Sequence, residues 1–176
     1  LVVVKQGGKH EVLDYRQQGS LELLPSLLIN SKGMVDPKVV RNIMGMRSAL
    51  APEIAAEAAR LGGPALADKL DPVLCLMESS LHDLAALQVG AMHFWQILAI
   101  ASDNIAYQLA FNSMRRTYHK AWDKLTFVMA REFQDLDNLR AIAVAVGRAD
   151  PEAARVAARA HVELGRQALD AVFSAL

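Results

Sequence analysis

Beyond about residue 18, apolar residues return at intervals of three and four, the spacing of one face of an α-helix. Glycine and proline fall mainly between such stretches. Ser20 is placed to cap a short apolar segment over 21–29, interrupted by Pro25. Asp36-Pro37 pairs a capping carboxylate with proline at the first helical position. The helix it opens carries Val40, Ile43, Met44, Arg47 and Leu50, should kink or divide at Pro52, and stops at Gly62-Gly63. Pro64 opens another segment, and Asp71-Pro72 repeats the cap-plus-proline signal ahead of a helix running to about Gln88. A strongly apolar helix is predicted over 92–101, with Ser102-Asp103 breaking it and capping the next. That helix runs through Tyr107 and Tyr118, with an extension to about Ala130. A further one spans roughly 132–146, and Asp150-Pro151-Glu152 opens the last. The sum is six to eight helices with short connections, an antiparallel all-α bundle with no second strand.

The N-terminal end differs. Residues 1–6 are rich in valine and end at Gly7-Gly8, which predicts one short strand and a turn. A lone strand needs a partner. It reads either as the last strand of a preceding domain or as an unstructured leftover. Residues 1–18 are therefore set apart from an all-helical domain over 19–176.

Charge narrows the partners. Lys+Arg and Asp+Glu both number 19, so the 176-residue chain is neutral, unlike a free-standing nucleic-acid-binding domain. No run of 18 purely apolar residues suggests a membrane span. A single cysteine, Cys75, excludes a disulfide scaffold and a four-cysteine zinc site. Its apolar neighbours predict a core position, and a reducing cytoplasm is the default setting.

Few residues invite chemistry. None of the five histidines pairs with another at the spacing of a helical metal site, and no nucleophile motif or phosphate-cradling glycine loop occurs. Asp135 and Asp137 read as solvated helix surface. No enzyme is expected. Arg47 stands out because it shares a stripe with Val40 and Ile43, so it needs an anionic partner, a protein carboxylate or a ligand. Arg115-Arg116 and Tyr118-His119-Lys120, followed by Trp122, form a basic cluster able to hold an anionic head group or to lie on a solvated face.

Three stretches resemble one family. Arg47-Ser48-Ala49-Leu50-Ala51-Pro52 resembles the first long helix of the effector domain in GntR-type transcriptional regulators. The run from Phe94-Trp95-Gln96 to Ala101-Ser102-Asp103-Asn104, with Tyr107, Met114 and Tyr118 after it, is similar to the FadR branch of that family. Gly147-Arg148-Ala149-Asp150-Pro151-Glu152, with His161 beyond, resembles the closing helix pair.

The resemblance implies an effector-binding, dimer-forming domain. It would follow a winged helix-turn-helix that binds operator DNA, with the first strand as the end of the wing. Many such relatives hold a metal through one aspartate and three histidines. Those positions fall here on Ala91, Trp95, Leu139 and His161, which predicts no metal. The resemblance then points to a fatty acyl-CoA or another acidic lipid as effector. On the last helix, Arg159, Ala160, Glu163 and Gln167 replace the small and aromatic residues expected near coenzyme A. Candidate effector contacts are Arg47, Trp95, Tyr107, Met114, Arg115, Tyr118, Leu139 and His161. The other readings are a ligand-free dimerisation module and a sensor of a different small organic acid. No cofactor and no membrane partner are expected.

Overall fold

Most of the long helices open on a short side chain that accepts N–H groups left unpaired in the first turn. Asp36 Oδ1 accepts from Lys38 N at 2.8 Å and Val39 N at 3.2 Å, with Pro37 next in line. Asp83, Asn104, Asp135 and Asp150 cap later helices in the same way. The computed structural model describes residues 2–4 and 10–174. Strand β1 (Val2–Val4) pairs antiparallel with β2 (His10–Val12), Val3 lying opposite Glu11. The helices are α1 (Tyr15–Gln18), α2 (Leu24–Leu28), α3 (Pro37–Leu61), α4 (Pro64–Ser79) and α5 (Leu84–Ala101). They continue as α6 (Ile105–His119), α7 (Trp122–Val128), α8 (Ala130–Phe133), α9 (Leu136–Gly147) and α10 (Pro151–Ser174).

The all-α bundle is as expected, but several borders move. The partner strand β2 was not foreseen, since His10-Glu11-Val12 is too short and polar to show a strand period. Of the predicted first strand and turn, Leu1 and residues 5–8 lie outside the described residues. Pro52 and Asp71-Pro72 do not divide their helices: α3 and α4 run through them. In α4 the buried residues Leu70, Val73, Leu74 and Met77 form one continuous stripe, which outweighs the proline signal. Cys75 stands off that stripe and is exposed, contrary to expectation. The chain breaks between Ser79 and Leu84 instead, and α5 passes unbroken through Gly90.

Helix α5 is the spine. By length and average apolarity it equals a membrane span, although Gln88, His93 and Gln96 interrupt its apolar run. Here Leu87, Phe94 and Leu98 are fully buried in the bundle core. Gly90 is buried because α4 lies against it, and a Cβ there would meet Met77 Cγ and come within 2.9 Å of its Sδ. The broadest helix contact joins α3 and α10. Ala55, Ala58 and Ala59 on one, and Ala154, Ala157 and Ala158 on the other, are buried, so the two backbones approach closely. Arg155 ties them at the rim, its Nε and Nη2 donating to Glu53 at 2.9 and 3.0 Å.

Gly90→Ala is expected to cost about 1–3 kcal/mol, the usual penalty for overpacking. Urea unfolding monitored by circular dichroism measures it, and an unchanged midpoint would mean that Met77 yields freely.

Candidate functional site

Inside the bundle, α3, α5, α6 and α8 surround a cavity of about 80 Å³, with α2, α7 and α10 contributing one residue each. Its wall is apolar apart from Arg47, Arg115, Glu132, Thr117, Tyr118 and the Trp95 indole nitrogen. The helix period explains Arg47: it follows Val40 and Met44 on the inward face of α3, and both are buried. A charged group there requires a partner. Glu132 on α8 supplies it, bonding both guanidinium Nη atoms, one of them at 2.7 Å.

Burial alone would disfavour the Arg47 cation. The charge and hydrogen bonds of Glu132 outweigh that, so its pKa lies above the ordinary arginine value. Only 2% of the Glu132 side chain is exposed, so the pair is shielded from water. Gly165 on α10 makes room for it. A methyl group at that position would overlap the Glu132 carboxylate and lie 2.6 Å from Met129 Cε.

A polar chain continues from the pair. His161 on α10, fully buried, has Nε2 3.7 Å from Glu132 Oε1, and its Nδ1 lies 2.9 Å from Asp135 Oδ2. Asn138 Nδ2 donates to the same Asp135 oxygen at 2.9 Å. Partial burial opposes the Asp135 carboxylate, but its bonds to His161 and Asn138 prevail and hold its pKa below the ordinary value. His161 Nε2 and the Trp95 indole nitrogen are buried and have no hydrogen-bond partner among the described residues, and the two rings lie 6.1 Å apart. On the opposite side, fully buried Gln88 donates to the Tyr118 hydroxyl at 2.9 Å and accepts from Thr126 at 2.6 Å. Burial is the main cause that pushes the Tyr118 hydroxyl far above its ordinary pKa, so it stays protonated.

Of the residues singled out from sequence, Arg47, Trp95, Met114, Arg115 and Tyr118 line the cavity. Three do not. Leu139 is fully buried in the core, Tyr107 is half-buried against it, and His161 stands behind Glu132. The basic cluster separates by helix phase. Arg115 turns inward and donates to Gln96 Oε1 at 2.9 Å, whereas Arg116 is exposed near Glu22 and His119 stacks on Trp122. His82, His93 and His119 are exposed.

Glu132, Asp135 and Gly165 were not foreseen as site residues. Asp135, expected on solvated surface, caps α9 and holds His161. Glu132 had a legible signal: a carboxylate one turn after Met129 and just before Phe133, both buried. Gly165 had none, since its need arises only where α8 meets α10.

The positions that the resemblance assigns to a metal hold Ala91, Trp95, Leu139 and His161. Two of these side chains have no ligating atom, and an indole nitrogen keeps its proton. Among the described residues, no three His, Cys, Asp or Glu side chains come together to hold an ion. A divalent metal does not fit this site.

Fold and site together define a helical domain built around an internal, mostly apolar cavity. A family model for the FCD domain matches residues 42–164. The chain belongs to that family, the C-terminal effector-binding and dimerisation domain of GntR-family transcriptional regulators. It is similar to the HTH-type transcriptional regulator Mce2R of Mycobacterium tuberculosis and to an uncharacterized HTH-type transcriptional regulator, Mb0601, of Mycobacterium bovis. Each is 32% identical over 172 residues, which cover 98% of this chain and 71% of the relative. Its fold is similar to that of a GntR protein from Streptococcus agalactiae, with a TM-score of 0.64 and 22% identity over 94% of this chain and 74% of that one.

From sequence alone, Arg47→Ala would be expected to weaken an acidic ligand more than the fold. The ion pair adds a cost to the fold that this expectation did not include. Stranding Glu132 in the core is expected to cost about 3–5 kcal/mol in urea unfolding, while Arg47→Met combined with Glu132→Gln recovers most of it. A loss below about 1 kcal/mol for Arg47→Ala would show the pair to be exposed in solution.

The Asp135 pKa is depressed on folding, so its contribution to stability is complete above the unfolded value and fades as pH falls through the folded one. Asp135→Asn should therefore flatten the acid limb of the stability profile below about pH 4. Chemical denaturation at several acidic pH values checks this, and parallel profiles would refute it.

Proposed function

We propose that the cavity binds an acidic lipid or acyl-CoA-type effector, and that this homodimeric domain passes its occupancy to a DNA-binding head in a cytoplasmic regulator. The charge of the cavity wall carries this reading: Arg47 and Arg115 face a single carboxylate, Glu132, among apolar side chains. One further anion makes the sum neutral, and opposite charges attract strongly where water is scarce. Arg115 is the readier anchor, because its hydrogen-bond partner among the described residues is the neutral Gln96 amide.

Size shapes the proposal. The resting volume of about 80 Å³ is roughly half of the 150 Å³ cavity that accepts benzene. An acyl chain therefore has to spread the wall. Met44, Met92, Met114 and Met129 line it, four of the seven methionines in the chain, and their flexible side chains can repack around a guest. The coenzyme A portion would stay outside. The small resting volume also favours a second reading, in which the effector is a compact organic acid.

Native mass spectrometry tests both readings. With dodecanoate or dodecanoyl-CoA added, a dimer carrying one ligand per chain is expected, and Arg115→Gln should weaken binding of dodecanoate, whose carboxylate enters the cavity, severalfold. An adduct with benzoate but with neither dodecanoate nor dodecanoyl-CoA would select the smaller acid. A dimer that takes up none of them would leave a ligand-free dimerisation module.

A further inference from the structure

We propose that Glu132 is a built-in competitor of the effector: its carboxylate occupies the face of Arg47 that an acidic head group needs, so an acid engages Arg47 only by displacing it. The inference rests on the reading of the cavity as an acid-binding site and assigns that site its regulation.

The geometry has three parts. Glu132 engages both Nη atoms of Arg47, the paired arrangement by which a guanidinium also grips a free carboxylate. Both residues line the cavity, so an incoming acid meets Arg47 with its two best donors already taken. The displaced carboxyl group has somewhere to turn if it takes the proton of the incoming acid: His161 Nδ1 donates to Asp135, so Nε2 of the ring is an acceptor to which a protonated Glu132 can donate while the acid's carboxylate takes Arg47. His161 Nε2 lies 3.7 Å from Glu132 Oε1, is fully buried, and has no hydrogen-bond partner among the described residues. Glu132 thus stands between an arginine on α3 and a histidine on α10, bonded to the first and within a small rotation of the second.

The groups around it are few. Arg47 comes from α3, Arg115 and Tyr118 from α6, and His161 from α10, with Asp135 behind His161 just before α9. The lining residues from α5 and α7 are Ala91, Met92, Trp95 and Leu125, none of them charged. With Glu132 in place, the effector gains Arg115 but must share Arg47. Without it, two arginines face the acid alone.

Octanoate and octan-1-ol are the probes, with binding followed by the change in tryptophan fluorescence and confirmed calorimetrically. Glu132→Gln preserves shape and a neutral hydrogen bond, and it should tighten octanoate at least tenfold while changing octan-1-ol less than twofold. In the Arg47→Met/Glu132→Gln double variant, octanoate affinity should return to within threefold of the wild type, because the contested arginine is gone and Arg115 alone remains, as in the wild type. A double variant that binds octanoate as tightly as Glu132→Gln alone would overturn the proposal, since Glu132 would then act by repulsion and not by competition.

The wild type supplies a test that needs no variant: octanoate, which gains Arg115 but not Arg47, should bind less than tenfold more tightly than octan-1-ol. Octanoate binding more than tenfold tighter than octan-1-ol would likewise overturn the proposal. If octan-1-ol binds the wild type and octanoate binds equally well with and without Glu132, the competition fails while the cavity reading survives. If neither probe binds any form, both fail.

Discussion

A guanidinium in an apolar wall has to be answered by a carboxylate, and much of the central architecture follows from that requirement. Arg47 faces inward because α3 keeps one phase from Val40 to Ile54. Its partner is brought in by α8, a helix of four residues that exists to place Glu132 and Phe133 between α5 and α10. Helix α10 can come near enough only because residue 165 has no side chain. Such a buried pair adds little net stability compared with well-packed hydrophobic residues, but it fixes which helix faces which. Removing either member leaves a charge that the core cannot accommodate.

A chain of polar side chains joins the helices behind the cavity wall. Arg47, Glu132, His161, Asp135 and Asn138 link α3, α8, α9 and α10 in sequence. The link between Glu132 and His161 is open, at 3.7 Å, while its neighbours are closed. Trp95 fills the space beside it and brings a buried N–H with no partner. Polar atoms in that condition are costly in an apolar surround, and they cluster where a structure is built to receive something.

The fold was legible because its signals are local. The capping residues Asp36 and Asp83 and the stripe through Leu70, Val73 and Met77 act within a turn or two of chain. The errors came where tertiary packing overruled a local rule. Pro72 sits inside α4, and Gly90 marks a close approach and not a helix end. Half of the site was legible for the same reason: an arginine on an apolar stripe announces a buried charge, and Trp95 and Tyr118 lie on strongly patterned helices. The other half was not. The burial of Glu132 could have been read from its apolar neighbours, but its pairing could not: it lies 85 residues from Arg47, and no spacing rule connects them. The functional phase of the basic cluster was also hidden, since only the packed helix shows that Arg115 turns inward and Arg116 outward.

Pro52 has a mechanical meaning. Helix α3 is 25 residues long, about 37 Å at 1.5 Å per residue. Proline offers no N–H, so the Ser48 carbonyl one turn earlier lacks its helical bond, and the Ser48 hydroxyl is unpartnered as well. The rod therefore has one soft joint, a single turn after Arg47. Behind it, Glu53 and the buried alanines clamp the helix to α10. Ahead of it, Val40, Ile43, Met44 and Arg47 form the cavity wall. The main chain of α3 is thus least stiff at Pro52, the one turn where a helical bond is missing, and that turn lies between the arginine of the cavity and the alanine clamp.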